Sequence, residues 1–322
     1  MARWLAGQAC IIYIHHDSVV GMRAVAQAAD LDRHSVIGRE FGNVVIVKEL
    51  GRGSMGGVYV GYQKSLKRQV AVKLLPRHSG DEGRSQRQFR DEAETVAVLS
   101  HPYIVPIFEM GEDDDYFFQV MQLITGADLG RMIRNRLKHP VASRRLLPPA
   151  RIVDILSKVL EGLGYAHREG VVHQDIKPAN IMIDESAHRP LIVDFGIAKT
   201  ARMEYWGQGL VVGSVLYLSP EQAAAQETDR RSDIYAMGMV LFEALAGRLP
   251  LRGDEDEKRI LLRKIKRPES LFTLAPSECS PNIDEAMEKI ILKALSPRRE
   301  ERFTSCEAFR SALMHWQPPV TQ

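Results

Sequence analysis

Cysteine is scarce in this chain. Its 322 residues hold three, Cys10, Cys279 and Cys306, too few and too widely spaced for a disulfide framework or a cysteine-built metal site. A reducing cytoplasm is therefore the expected location. Long apolar runs are missing as well: the stretch 4–14 is about eleven residues where a bilayer needs roughly 20, and no later stretch is long enough, so no membrane span is expected. Arg3 ahead of that stretch imitates a secretory leader, but His15, His16 and Asp17 follow it and no small-residue cleavage site appears. Excess charge of one sign is also lacking. With 43 Lys and Arg against 41 Asp and Glu, the formal charge is +2, which gives no global electrostatic case for nucleic acid or a membrane surface as partner. Internal repeats and low-complexity tracts are absent.

What is present is an ordinary globular composition, 45% apolar and 26% charged, at a length that allows about two domains. Residues 44–47 and 57–62 are β-branched and aromatic with glycines between them, which predicts a strand, a turn and a strand. A strand over 70–75 follows, then an amphipathic helix over 84–99 ending at Ser100-His101-Pro102, then strands over 104–109 and 116–123 around an acidic turn at 112–115. Five strands and one helix make a small β-rich lobe. Beyond Gly126 the period becomes helical, most clearly over 150–169, 232–246 and 283–295. The reading is an α+β chain of two lobes: an extension of unknown role at 1–43, a small lobe at 44–124, a mainly helical lobe at 125–317 and a tail at 318–322. For the extension three readings stand: a tail, a helix packed on the small lobe, or a misassigned start with Met22 as initiator.

Three motifs carry chemistry. Gly51-Arg52-Gly53-Ser54-Met55-Gly56 is followed by Lys73 in a Val-Ala-Val-Lys strand pattern, then come His173-Gln174-Asp175-Ile176-Lys177-Pro178-Ala179-Asn180 and Asp194-Phe195-Gly196. Glycines let backbone N–H groups approach phosphate oxygens, lysine supplies a compact cation, and a carboxylate with an amide suits a hard metal ion. A lone G-x-G-x-x-G is shared with dinucleotide folds, but the three motifs in this order meet the demands of phosphoryl transfer.

These stretches, with Gln69 to Leu75, Ile192 to Lys199 and Tyr217 to Ala223, resemble the protein kinase superfamily, specifically the eukaryotic-like serine/threonine kinases of bacteria, over roughly residues 44–315. The resemblance implies a two-lobed fold with ATP between the lobes and Mg²⁺ (or Mn²⁺) as cofactor. It implies Asp175 as the base facing the acceptor hydroxyl, Lys177 on the transferred phosphoryl group, and Asn180 and Asp194 on the metal. Lys73 would meet the α and β phosphates with Glu92 as its carboxylate partner. Leu50, Val58, Ala71 and Met182 would wall the adenine, Gly51, Gly53 and Gly56 would cover the phosphates, Met121 would guard the back pocket, Gln122 to Ile124 would offer hinge backbone, and Asp128 would meet the ribose. The stretch from Gly213 to Glu221 resembles a peptide-substrate platform, which implies a protein substrate with a Ser or Thr acceptor. Glu221 would pair with Arg302, and Asp233 would hold the catalytic loop's backbone.

Two departures point the same way. Gln174 stands where the family usually has arginine, and residues 201–212 hold no Ser or Thr, only Tyr205, although Thr200 and Ser214 flank them. The expectation is a kinase that does not depend on activation-segment phosphorylation and is switched by a regulatory protein partner. A basic run, Arg131, Arg134, Arg136, Lys138, Arg144 and Arg145, reads as a solvated face or as an anchor for an acidic partner. The alternatives to a protein kinase are a non-catalytic scaffold on the same fold and a kinase of a small metabolite. The scaffold is disfavoured because Lys73, Glu92, Asp175, Asn180 and Asp194 are all present.

Overall fold

A computed structural model describes residues 36–53, 56–77, 96, 98–195, 215–250, 256–270 and 274–317. The expected helix over 84–99, apart from its end, lies outside them, as do Ser54, Glu92, Gly196 and Ser214. The described residues divide into two compact units, the first drawing on 36–77, 107–127 and 184–186, the second on the remainder.

In the first unit, six strands form one antiparallel sheet in the order β1-β2-β3-β4-β6-β5: β1 Glu40–Phe41, β2 Val44–Gly53, β3 Gly56–Gln63, β4 Arg68–Pro76, β5 Ile107–Glu112 and β6 Tyr116–Met121. The two-residue side-chain period sorts these strands into two faces. Val70, Val72 and Leu74 point to one of them and join Val36, Phe41, Val44, Ile46, Tyr59, Phe118 and Val120 in a buried core. The acidic turn is also a fastening. Asp113 Oδ1 accepts from the N–H groups of Asp115 and Tyr116, and Arg39 bonds Asp113 at 2.9 Å and Asp115 at 3.0 Å.

The second unit is mainly helical. A short strand, β7 Gly126–Asp128, leads into α1 Leu129–Leu137, and Asp128 caps that helix by accepting from the Arg131 N–H at 2.8 Å. α2 Pro149–Arg168 begins with proline where its missing N–H costs nothing. β8 Ile181–Asp184 and β9 Arg189–Ile192 are neighbouring strands. After a short α3 Pro220–Ala223 comes α4 Arg231–Ala246, buried at all but three positions, as its apolar sequence demands. α5 Glu257–Lys266, a short α6 Pro276–Cys279, α7 Glu285–Ala294 and α8 Cys306–His315 complete the unit. α4 and α7 approach closely at Gly238, where a Cβ would stand 2.9 Å from that of Ala294. Among the described residues no helix is long and apolar enough to cross a membrane.

Candidate active site

Residues 173–180 form a loop whose shape is set from beneath by one buried carboxylate. Asp233, on the largely buried α4, accepts from the N–H of His173 at 2.9 Å and of Gln174 at 2.7 Å, and from Nε2 of His167 at 2.8 Å. Burial works against its charge. The His167 hydrogen bond, the electrostatic pull of the two imidazoles at His167 and His173, and the His173 N–H outweigh it and hold the carboxyl below the usual range. His173 is itself fully buried, and burial lowers its proton affinity. Its Nε2 faces the Val193 carbonyl at 3.0 Å, which can only accept, so Nε2 carries the proton and Nδ1 accepts from the Asp175 N–H at 3.2 Å. The ring packs on Phe195 with centroids 4.6 Å apart. Gln174 and Asp194 both adopt left-handed backbone, φ 63° and 64°, a cost that non-glycine residues sustain where surrounding structure enforces it.

On that support three of the sequence-predicted residues come together. Lys177 Nζ donates to Asp175 Oδ2 at 2.9 Å, and Asn180 Nδ2 donates to the same oxygen at 3.2 Å and to the Asp175 carbonyl at 2.8 Å. The carboxylate is thus held by an ammonium and an amide while keeping 11% of its side-chain surface open. An asparagine whose N–H is so committed has its oxygen to offer a metal, and Asp194, the other expected ligand, would add carboxylate oxygens. Both are hard donors, which fits Mg²⁺. Among the described residues no three His, Cys, Asp or Glu side chains gather as a metal cage.

In the sheet, strand register does the sorting. Lys73 lies opposite Val58 and Gln119, and Ala71 lies opposite Val60 and Met121. Directly opposed residues share a face, so Lys73, Val58, Ala71 and Met121 all lie on the face away from the apolar core. Gly51 pairs with Val58 and Gly53 with Gly56 at the hairpin's tip. Gly56 has φ 152°, and a Cβ there would stand 2.0 Å from the Leu74 carbonyl oxygen, so this position needs glycine. Leu50 and Gln122 are half-buried, and Ile124 and Met182 are buried. Asp128, expected at a ribose, has one oxygen engaged as the cap of α1.

Residues 219–222 are also anchored. Glu221 and the fully buried Arg302 form a two-point ion pair, 2.7 and 2.8 Å, and Ser232 donates to Glu221 at 2.8 Å. Arg302 directs its other donors to the carbonyls of Ser296, Arg231 and Pro297. Gln222, which the motifs did not single out, ties the two loops: its Nε2 donates to the Gln174 carbonyl at 2.9 Å and its Oε1 accepts from the Ser219 N–H at 3.1 Å. The Ser-x-x-Gln pattern of a capping box at 219–222 was the available signal.

Residues 44–314 match the family model described as protein kinase domain. The chain belongs to the protein kinase domain family. This kinase domain is 34% identical over 283 residues to serine/threonine-protein kinase Pkn1 of Myxococcus xanthus, covering 86% of the chain and 39% of that relative. It is 34% identical to serine/threonine-protein kinase PrkC of Bacillus subtilis, covering 83% of the chain and again 39% of the relative. The chain thus spans about two fifths of the length of these curated relatives. A crystal structure of a cysteine-to-alanine mutant of the Mycobacterium tuberculosis PknI kinase domain superposes with a TM-score of 0.67 at 27% identity, covering 86% of this chain and 97% of that one. The two-lobed kinase fold expected from the motifs is the fold found, with a sheet in one unit and helices in the other.

Proposed function

We propose that this kinase domain transfers the γ-phosphoryl group of ATP to Ser or Thr hydroxyls of protein substrates. The observation that carries this is the Asp175 carboxylate, held by Lys177 and Asn180 on a loop fastened to Asp233. Asp175 orients the acceptor hydroxyl and takes its proton, and Lys177 neutralises charge on the group in transit. Asn180 and Asp194 would hold Mg²⁺, which supplies charge neutralisation to the phosphate oxygens. Lys73, with Glu92, meets the phosphates, and Gly51, Gly53 and Gly56 lay backbone over them. Leu50, Val58, Ala71, Met121 and Met182 take the adenine, Gln122 and Ile124 offer it backbone, and Asp128 keeps its second oxygen for the ribose. The boundaries proposed are 44–124 for the small lobe and 125–317 for the large.

A protein acceptor is favoured by the anchored segment 215–222, which resembles a peptide-substrate platform. Regulation without activation-segment phosphate is favoured by Gln174, whose Nε2 donates to the Thr228 hydroxyl at 3.3 Å. A neutral amide committed within the protein stands where a phosphate-reading guanidinium would be needed. A regulatory protein would then be the switch.

The test is incubation of the purified chain with labelled ATP, Mg²⁺ and a generic basic protein, with Asp175→Asn as the blank. Label on serine or threonine supports the reading. Label on a metabolite alone, or none in any protein while nucleotide binds, replaces it with one of the two alternatives. Treating active enzyme with phosphatase should leave its rate unchanged; a loss beyond about tenfold, recovered on autophosphorylation, would defeat the regulatory part.

A further inference from the structure

One cation in the helical unit has no part in the chemistry above. Lys264, near the end of α5, is fully buried. Its Nζ donates to the carbonyl oxygens of Leu216 at 2.7 Å and Leu218 at 2.6 Å, and it lies 5.5 Å from the centre of the Tyr235 ring. Helical lysines ordinarily run their stems along the surface and leave the ammonium in water. Here burial drives the group well below the ordinary lysine range, with no carboxylate to offset it.

The neighbours make the arrangement stranger. On the same helix Leu262 and Ile265 are 51% and 41% exposed, so α5 turns a cation inward and two apolar residues outward. Ile260 is buried on the same face as Lys264, but covering Leu262 and Ile265 as well would call for a different rotation of the helix. An orientation that gives up hydrophobic stabilisation and desolvates a charge persists where that charge fixes something.

What it fixes is the backbone on either side of Tyr217. Charge-assisted bonds of this length are strong and directional, and they draw two carbonyls, 216 and 218, towards one point beneath the chain. Tyr217 is held separately, its hydroxyl donating to Glu243 at 2.6 Å. Immediately beyond, the Ser219–Gln222 box and the Glu221–Arg302 pair pin the rest. Lys264 is the tether furthest upstream among the described residues of this segment.

We propose that Lys264 is a positioning residue for acceptor-peptide docking: by gripping the Leu216 and Leu218 carbonyls, its ammonium sets the backbone shape of 215–219 against which the substrate chain lies. This rests on the protein kinase reading above. In that role it would govern acceptor binding rather than the phosphoryl-transfer step.

Lys264→Met keeps the stem and removes the ammonium, and the whole chain is then compared with wild type in two ways. Backbone amides of 215–219 should exchange about tenfold faster, because the segment opens more readily once the charged hydrogen bonds to its 216 and 218 carbonyls go, while α4 keeps its protection. KM for a generic basic protein should rise about tenfold with kcat falling less than about threefold, the pattern of lost acceptor binding. Exchange and KM both within about twofold of wild type, or protection lost equally from α4, would overturn the proposal. If the methionine variant does not fold, Lys264→Gln, which keeps a shorter neutral donor, is read by the same criteria. A wild-type chain that labels no protein would end the kinase reading, and the exchange comparison would still decide whether Lys264 holds the segment.

Discussion

Charge is handled in two opposite ways within the helical unit. Around Arg302, Glu221 and Asp233 the ionised groups are sealed from water and each is met by several partners: Arg302 by two carboxylate oxygens and three carbonyls, Asp233 by two backbone N–H groups and a histidine. Around Asp175 the same kinds of group stay partly open, Lys177 keeping 25% of its side-chain surface. Both sets are tightly hydrogen-bonded, so bonding alone does not tell them apart. Openness does: a sealed and satisfied ion holds the fold, and a held but reachable one can act on a ligand.

The sharpest way to break this contrast is to unpair the sealed set. Arg302→Ala leaves Glu221 charged and buried, a change that costs about 3–5 kcal/mol in such settings, and denaturant unfolding at pH 7 should show it. The loss should shrink in acid. Burial tends to raise the Glu221 carboxyl, but the Arg302 hydrogen bonds and charge prevail and hold it below the ordinary range. A carboxyl lowered on folding stabilises above its unfolded value, about 4.3, and that contribution fades as pH falls through the lowered folded value. A penalty that stayed constant from pH 7 to pH 3 would mean the ion pair is not its source.

The open set should answer differently. Asp175→Asn should reduce kcat by at least roughly 10²-fold through loss of the base, while unfolding free energy moves by less than about 1 kcal/mol. Steady-state transfer to a basic protein and a urea titration of the same sample check both halves. A variant as unstable as Arg302→Ala would place Asp175 with the sealed charges.

How far this contrast could be read from residues alone varied with distance along the chain. The Asp175–Lys177–Asn180 cluster is local, and its motif announced it. The Glu221–Arg302 pair spans 81 positions and was reachable through the family's pattern, not through any local period. The strands at 44–53, 56–63 and 68–76 were visible in part, over 44–47, 57–62 and 70–75, from β-branched and aromatic residues, and the helices at 149–168, 231–246 and 285–294 were visible over 150–169, 232–246 and 283–295 from apolar periodicity. Helices α1 and α5 were not, since basic residues crowd both and blur the period. Lys264 was illegible for a different reason: its partners are backbone carbonyls, which carry no sequence signature; Gln222 had only the Ser-x-x-Gln pattern to announce it. Glu92 lies outside the described residues, so its pairing with Lys73 stays a proposal.

The gentlest test lies at the border between the two sets, where Tyr217 is half-buried and Glu243 takes its hydroxyl hydrogen. Burial raises the Glu243 carboxyl, and the Tyr217 bond and the charge of Arg134 only partly counter it. A carboxyl raised on folding contributes most below its unfolded value and loses ground as pH climbs through the folded one. Tyr217→Phe removes the largest opposing influence and pushes the group higher still. The variant should therefore be about 1 kcal/mol less stable at pH 7 and less so at pH 4, where both proteins carry Glu243 protonated. Urea midpoints at the two pH values measure this; an equal difference at both would show that the hydroxyl serves packing and not the carboxylate.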